Sequence, residues 1–208
     1  MHLTSFILPV LTLVGAASAK LNTTREFRLV TQIKPGQRNK QRFAKLELSA
    51  YHSGAGTVTG SALHDIIADH FAGENDGVLL KGEGIAGFFN KTNPVIKRPN
   101  GQPYYNLEFD LGNDFPYAPQ LEGPNSYVQW VPVAINVGDS SANGAYFFNK
   151  TGLQYTTAPG QKESIDGFGG WLVCNWWRGV PQLFMRLQYY NETRPANCAD
   201  VYLMPKYI

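Results

Sequence analysis

The pentapeptide Phe88-Phe89-Asn90-Lys91-Thr92 returns unchanged at Phe147-Phe148-Asn149-Lys150-Thr151. One spacing earlier the chain reads Phe27-Arg28-Leu29-Val30-Thr31, a looser copy. The anchors start at Phe27, Phe88 and Phe147, so the steps are 61 (88 − 27) and 59 (147 − 88) residues. A long, nearly constant spacing is the mark of stacked or symmetric units. A second strand-like stretch follows the first two anchors at a similar offset: KLELSAY from Lys45 and YNLEFDL from Tyr105. The third unit breaks that offset, because GLQYT at Gly152–Thr156 follows at once and GGWLVC at Gly169–Cys174 comes later. Residues 20–208 hold about three such spacings. Three units of about four short strands predict a β-trefoil, with a two-sheet Greek-key sandwich as the alternative.

The stretches around the anchors carry strand signals. Leu46 and Leu48 alternate with Lys45, Glu47 and Ser49, and Leu107, Phe109 and Leu111 alternate with Asn106, Glu108 and Asp110. Val131, Val133, Ile135 and Val137 form one face of a third stretch. A period of two places one face on a core and the other toward water, so Glu47, Glu108 and Asp110 are expected on wet faces. Pro132 lacks an N–H, which points to an edge or a strand start. The 21 glycines and 13 prolines cluster between these runs, as in an all-β domain of many short antiparallel strands. Only SALHDIIADHF, Ser61–Phe71, has helical spacing, and a long loop over a sheet is its alternative.

Residues 1–19, MHLTSFILPVLTLVGAASA, read as a secretory signal peptide. An apolar run from Phe6 to Val14 leads to the small-residue site Ala17-Ser18-Ala19. Residues 20–208 are then read as one secreted, extracellular, monomeric all-β domain. No later stretch is apolar for the ~18 residues that a span requires, so no membrane partner is expected. Lysine and arginine number 18 against 16 acidic residues, a net of +2, which gives no electrostatic footprint for nucleic acid. The densest basic stretch holds Lys34, Arg38, Lys40, Arg42 and Lys45. Its Pro-Gly and Gln-Arg-Asn content reads as a solvated loop between strands, with a polyanion contact as the alternative.

In a secreted chain the even cysteine pair, Cys174 and Cys198, implies a disulfide. Asn22, Asn90, Asn149 and Asn191 each begin an N-x-[ST] sequon and are candidate glycosylation sites on surface loops. Asparagine is also a good turn residue, so the two Phe-Phe-Asn copies read as strand ends followed by turns.

The sharpest chemical feature is FGGWLVCNWWRGVPQLF, Phe168–Phe184. Trp171, Trp176 and Trp177 crowd into it, and Arg178-Gly179 follows as a turn. Exposed aromatic rings stack on sugars, whereas buried ones fill a core and would back the disulfide at Cys174. In an extended segment Trp176 and Trp177 point to opposite faces, so Trp176, Trp177 and Arg178 are the ligand-binding candidates. Catalytic patterns are poor. Glu108 and Asp110 share one strand face, whereas a hydrolase pair comes from separate strands ~5–10 Å apart. No G-x-S-x-G elbow and no H-E-x-x-H occurs. His64, Asp65, Asp69 and His70 suggest a metal set, but a spacing of six puts the two histidine rings on different sides of a helix. His52 reads as a strand-end residue with local hydrogen bonds. No catalytic residue, metal site or cofactor is therefore assigned.

Taken together, YHSGAG (51–56), LEFDLG (107–112), VPVAINVG (131–138), FFNKTGLQ (147–154) and the Trp-rich motif resemble a family of small secreted fungal proteins, a domain of unknown function. The resemblance spans nearly all of residues 20–208 and implies secretion, a fungal source and a Trp-rich strand pair. The family motif carries an acidic residue and a histidine where this chain has Asn175 and Arg178. The HDIIADH segment looks peculiar to this chain. The resemblance brings no activity and no catalytic residues. The expected function is a non-catalytic extracellular or cell-wall-associated binding protein whose partner is a cell-wall polysaccharide or other glycan. The alternatives are a hydrolase using Glu108 or Asp110, and an effector-like or antigen-like surface protein with no small ligand.

Overall fold

The structure is a computed structural model that describes residues 25–52, 75–90, 103–112, 116–121, 130–137, 145–156, 167–175, 180–188 and 193–208. The expected signal peptide and the HDIIADH segment lie outside the described residues. The described residues form twelve strands, β1 (Phe27–Ile33), β2 (Glu47–His52), β3 (Asn75–Leu80), β4 (Ala86–Asn90), β5 (Asn106–Asp110), β6 (Pro116–Leu121), β7 (Trp130–Val137), β8 (Ala145–Asn149), β9 (Gly152–Thr156), β10 (Phe168–Asn175), β11 (Pro181–Leu187) and β12 (Cys198–Tyr207). One 3-10 turn, Gln41–Phe43, inserts Phe43 into the interior at full burial. Among the described residues no helix is long and apolar enough to cross a membrane.

The fold is all-β. Ten strands form one antiparallel sheet in the order β10-β12-β1-β2-β3-β11-β7-β6-β5-β4, and β8 and β9 form a second, two-stranded sheet. The first and last strands pair along their length, from Phe27↔Tyr207 to Ile33↔Val201. β1 also meets β4 at Phe27↔Gly87. β3, β7 and β11 pair with one another in a triangle, through Asp76↔Ala134, Met185↔Val131 and Gln182↔Val78. The small sheet is tied into the large one through its backbone. A Tyr105↔Tyr146 bridge links it to the start of β5, and Gly152 lies against β12. Gly152 has a φ of +87°, and a Cβ there would run into the Leu203 carbonyl, so only glycine lets β9 approach so closely.

The period-two reading holds where one face is wet. Val131, Val133 and Ile135 are buried while Pro132, Ala134 and Asn136 are half-buried. Pro132 is the third residue of β7, opposite Phe184 and beyond the last β6 partner at Val133. The same reading fails on β5, where Asn106, Leu107, Glu108 and Phe109 are all buried. It fails again at Glu47 of β2, which is 5% exposed. On a strand covered on both sides, alternation in the sequence does not mark a wet face.

The repeat also needs correction. Phe88 is the third residue of β4 and Phe147 the third residue of β8, so the two exact copies occupy matching strand ends. Each strand pairs antiparallel with the next, through Asn90↔Asn106 and Asn149↔Gly152. Phe27 instead opens β1, and it is out of step with both. Its side chain nevertheless meets the second phenylalanine of each copy. The Phe27 ring lies 5.4 Å from Phe89 and 4.9 Å from Phe148, and those two are 5.0 Å apart. Three anchors far apart in sequence thus converge on one aromatic cluster beside the main core of Leu29, Phe109, Ile135, Tyr146 and Leu203.

Glu47 stays charged in its buried place. Its Oε2 accepts from the Gly84 N–H at 3.1 Å and lies 3.4 Å from Arg28, and its Oε1 lies 3.2 Å from the Lys206 ammonium. Burial pushes its pKa up, but the Gly84 amide, Lys206 and Arg28 outweigh that and hold it below the ordinary value. A depressed carboxyl stabilises the fold above its unfolded pKa of ~4.3, and that contribution fades as pH falls through the lower folded value. The expected result for Glu47→Gln is a loss of about 1–2 kcal/mol at pH 7 in urea unfolding. The variant should also lose less stability than wild type on acidification to about pH 3. Equal acid sensitivity of the two proteins would refute this role.

Candidate functional site

Trp176, Trp177 and Arg178 lie outside the described residues. The strands on either side are described, and Asn175 of β10 pairs with Pro181 of β11. Residues 176–180 therefore connect the two strands of one hairpin. Next to that end, Cys174 and Cys198 are cross-strand partners on β10 and β12 and are joined by a disulfide. Leu172 and Phe184 complete a second apolar cluster around the bond, with Trp130 packed against it. Trp171, by contrast, is a core residue. It is 3% exposed, and its indole N–H donates to the Leu153 carbonyl at 2.7 Å. Of the three clustered tryptophans, this one follows the core-filling alternative.

The two described sequons differ. Asn149 is exposed, and its Oδ1 accepts from the Thr151 N–H at 2.8 Å and the Thr151 hydroxyl at 2.7 Å. This is a turn closed by the side chain. Asn90 is half-buried and uses its Nδ2 to donate to Glu108 Oε1 at 2.7 Å. Asn22 and Asn191 lie outside the described residues.

Glu108 is 3% exposed, so the wet-face expectation is wrong for it. The reason is the double burial of β5. Asp110 is half-buried, and its Oδ1 caps a turn by accepting from the Gly112 N–H at 2.7 Å. The two carboxylates therefore have different surroundings. His52 ends β2 opposite Asn75. Among the described residues no group of His, Cys, Asp and Glu has the geometry to hold a metal ion.

The basic stretch after β1 is not a free loop. The Lys34 N–H donates to the Asp200 carbonyl at 3.0 Å. Gln37 Nε2 donates to the Lys34 and Asp200 carbonyls at 3.0 and 2.7 Å, and its Oε1 accepts from the Asp200 N–H at 2.9 Å. Lys40 Nζ donates to the Ala196 carbonyl. The segment is thereby fastened to the start of β12. Asp200 Oδ1 accepts from Arg186 and Oδ2 from Arg194, both at 2.9 Å. The Lys34 ammonium sits over the Tyr202 ring at 5.5 Å and occupies room left by Gly170, where a Cβ would stand 2.6 Å from Nζ. Burial first, and Arg186 with it, hold the Lys34 pKa below the ordinary lysine value against the pull of Asp200. Burial, Arg194 and Arg42 lower Lys40 in the same direction. Sequence reasoning had only the Lys34–Lys45 half of this cluster. Arg186, Arg194 and Asp200 stand more than 140 positions away and form no run of charge that would have pointed to it.

Residues 68–207 match a family described as a domain of unknown function (DUF7907). No curated protein and no solved structure matches the chain.

Proposed function

The chain belongs to the DUF7907 family, and from that premise we propose that it is a secreted fungal glycan-binding protein without catalytic activity, built as a β-trefoil. For the trefoil reading, the support is the pairing pattern. Strands β3, β7 and β11 meet in a triangle, as the inner strands of three hairpins related by a threefold axis would. Around them β1, β4, β5, β8, β9 and β12 follow one another in a ring, with Phe27, Phe89 and Phe148 clustered together. Each third of the chain then supplies four strands.

One observation carries the binding reading. The connection that holds Trp176, Trp177 and Arg178 springs from a hairpin paired up to Asn175↔Pro181 and cross-linked to β12 one residue earlier, at Cys174. A fixed base limits the entropy lost when a loop closes on a ligand. Adjacent tryptophans supply broad apolar faces of the kind that stack on sugar rings. The signal-like residues 1–19 and the disulfide support secretion into an oxidising compartment.

Glycan-array and polysaccharide pull-down measurements on wild type, Trp176→Ala and Trp177→Ala test the reading. We expect one of the two substitutions to weaken retention about tenfold, the effect of losing roughly 1–2 kcal/mol of ring contact. Wild type that is retained on no glycan, or retention that neither substitution changes, would sink it.

A further inference from the structure

Arg186 and Arg194 hold one carboxylate, Asp200, with Lys34 beside it, and Lys40 stands near Arg194 and Arg42. Both Asp200 oxygens already accept from an arginine, so Asp200 has little left with which to balance the other cations. Lys34 and Lys40 each have an arginine among the groups that depress them, as cations crowded by like charge do. Arg194 Nε is buried and has no hydrogen-bond partner among the described residues. The cluster is open to solvent, with Arg42 exposed, Lys40 half-buried, and the Arg186 and Arg194 side chains 22% and 25% exposed. It is also held in shape, because Gln37 and the Lys34 amide fasten the connection to β12.

We propose that this cluster is an anion subsite that takes the carboxylate or sulfate groups of an acidic polysaccharide. The inference rests on the glycan-binding reading and names its substrate class. A nucleic acid is the less suited polyanion. The whole chain carries only +2, a weak overall attraction for a phosphate backbone. Charges spaced one or two sugars apart need only a local pocket of cations beside an apolar contact. Asp200 draws Arg186 and Arg194 inward, which leaves Lys40 and Arg42 to face the ligand.

The test compares Lys40→Gln/Arg42→Gln with Lys81→Gln/Lys150→Gln, a pair of equal charge change at two exposed lysines outside the cluster. Binding of the full chain to polygalacturonate, dextran sulfate and an RNA homopolymer is measured across a salt series. Wild type should bind the acidic polysaccharides more tightly than the RNA. The cluster pair should weaken binding roughly three- to tenfold at low salt, as the loss of two exposed ion pairs would. The control pair should change it less than twofold. Equal weakening by both pairs, no binding to either acidic polysaccharide, or tighter binding to RNA would each overturn the proposal. Retention of Trp-dependent binding to neutral glycan in such a case would overturn this inference alone and leave the parent reading standing.

Discussion

Replacing Cys174 and Cys198 together by alanine should lower stability by about 3–4 kcal/mol. The bond joins residues 24 positions apart, and closing a loop of that size removes roughly this much entropy from the unfolded chain. Both cysteines are buried, and they pack with Leu172 and Phe184, so the loss of two sulfurs adds a small packing cost. For a chain of this length the midpoint should fall by roughly 10 °C. Urea unfolding of the double variant, and of wild type with and without reductant, gives the measurement. The reduced wild type should approach the variant. A loss below about 1 kcal/mol would mean that backbone pairing between β10 and β12 already holds the strands without the cross-link. The loop enclosed by the bond contains β11 and Arg194, so reduction should also loosen one wall of the cationic cluster.

Phe27→Ala should cost about 3–5 kcal/mol, the usual price of emptying a buried phenylalanine site. The ring is 2% exposed and stands edge-on to Phe89, Phe148 and Tyr207, at 5.4, 4.9 and 6.1 Å. It sits where β1, β4 and β12 meet, so the cavity would open where the first and last strands close the sheet. Phe89→Ala and Phe148→Ala should cost less, because both rings are already half-exposed. Phe27→Leu should recover most of the loss, to within about 1.5 kcal/mol of wild type. Chemical denaturation of the four variants gives the ranking. If Phe27→Ala costs no more than Phe89→Ala, the three rings do not act as one cluster around Phe27.

The two exact FFNKT copies were readable because equivalent strand ends met the same demands. Each places two aromatic residues against the core, with Phe88 fully buried and Phe147 half-buried, and an asparagine where the strand stops. The looser copy at Phe27 has another place in the strand order, yet it joins the same ring cluster. A repeat search sees residue identity, while packing requires only that rings arrive at one point in space. The errors on Glu47 and Glu108 have one source. Period two assumes a wet face, and neither β2 at Glu47 nor β5 has one.

The sequence alone determined the all-β class, the strand positions around the repeats, and the pairing of Cys174 with Cys198. These follow from local alternation, from turn-forming glycine and proline, and from there being only two cysteines to join. Tertiary structure alone decided the sheet order, the closure of β1 on β12, and the meeting of Lys34 and Lys40 with Arg186, Arg194 and Asp200. Those contacts join residues up to 180 positions apart (207 − 27). Their energy depends on geometry across strands, which no local pattern of residues encodes.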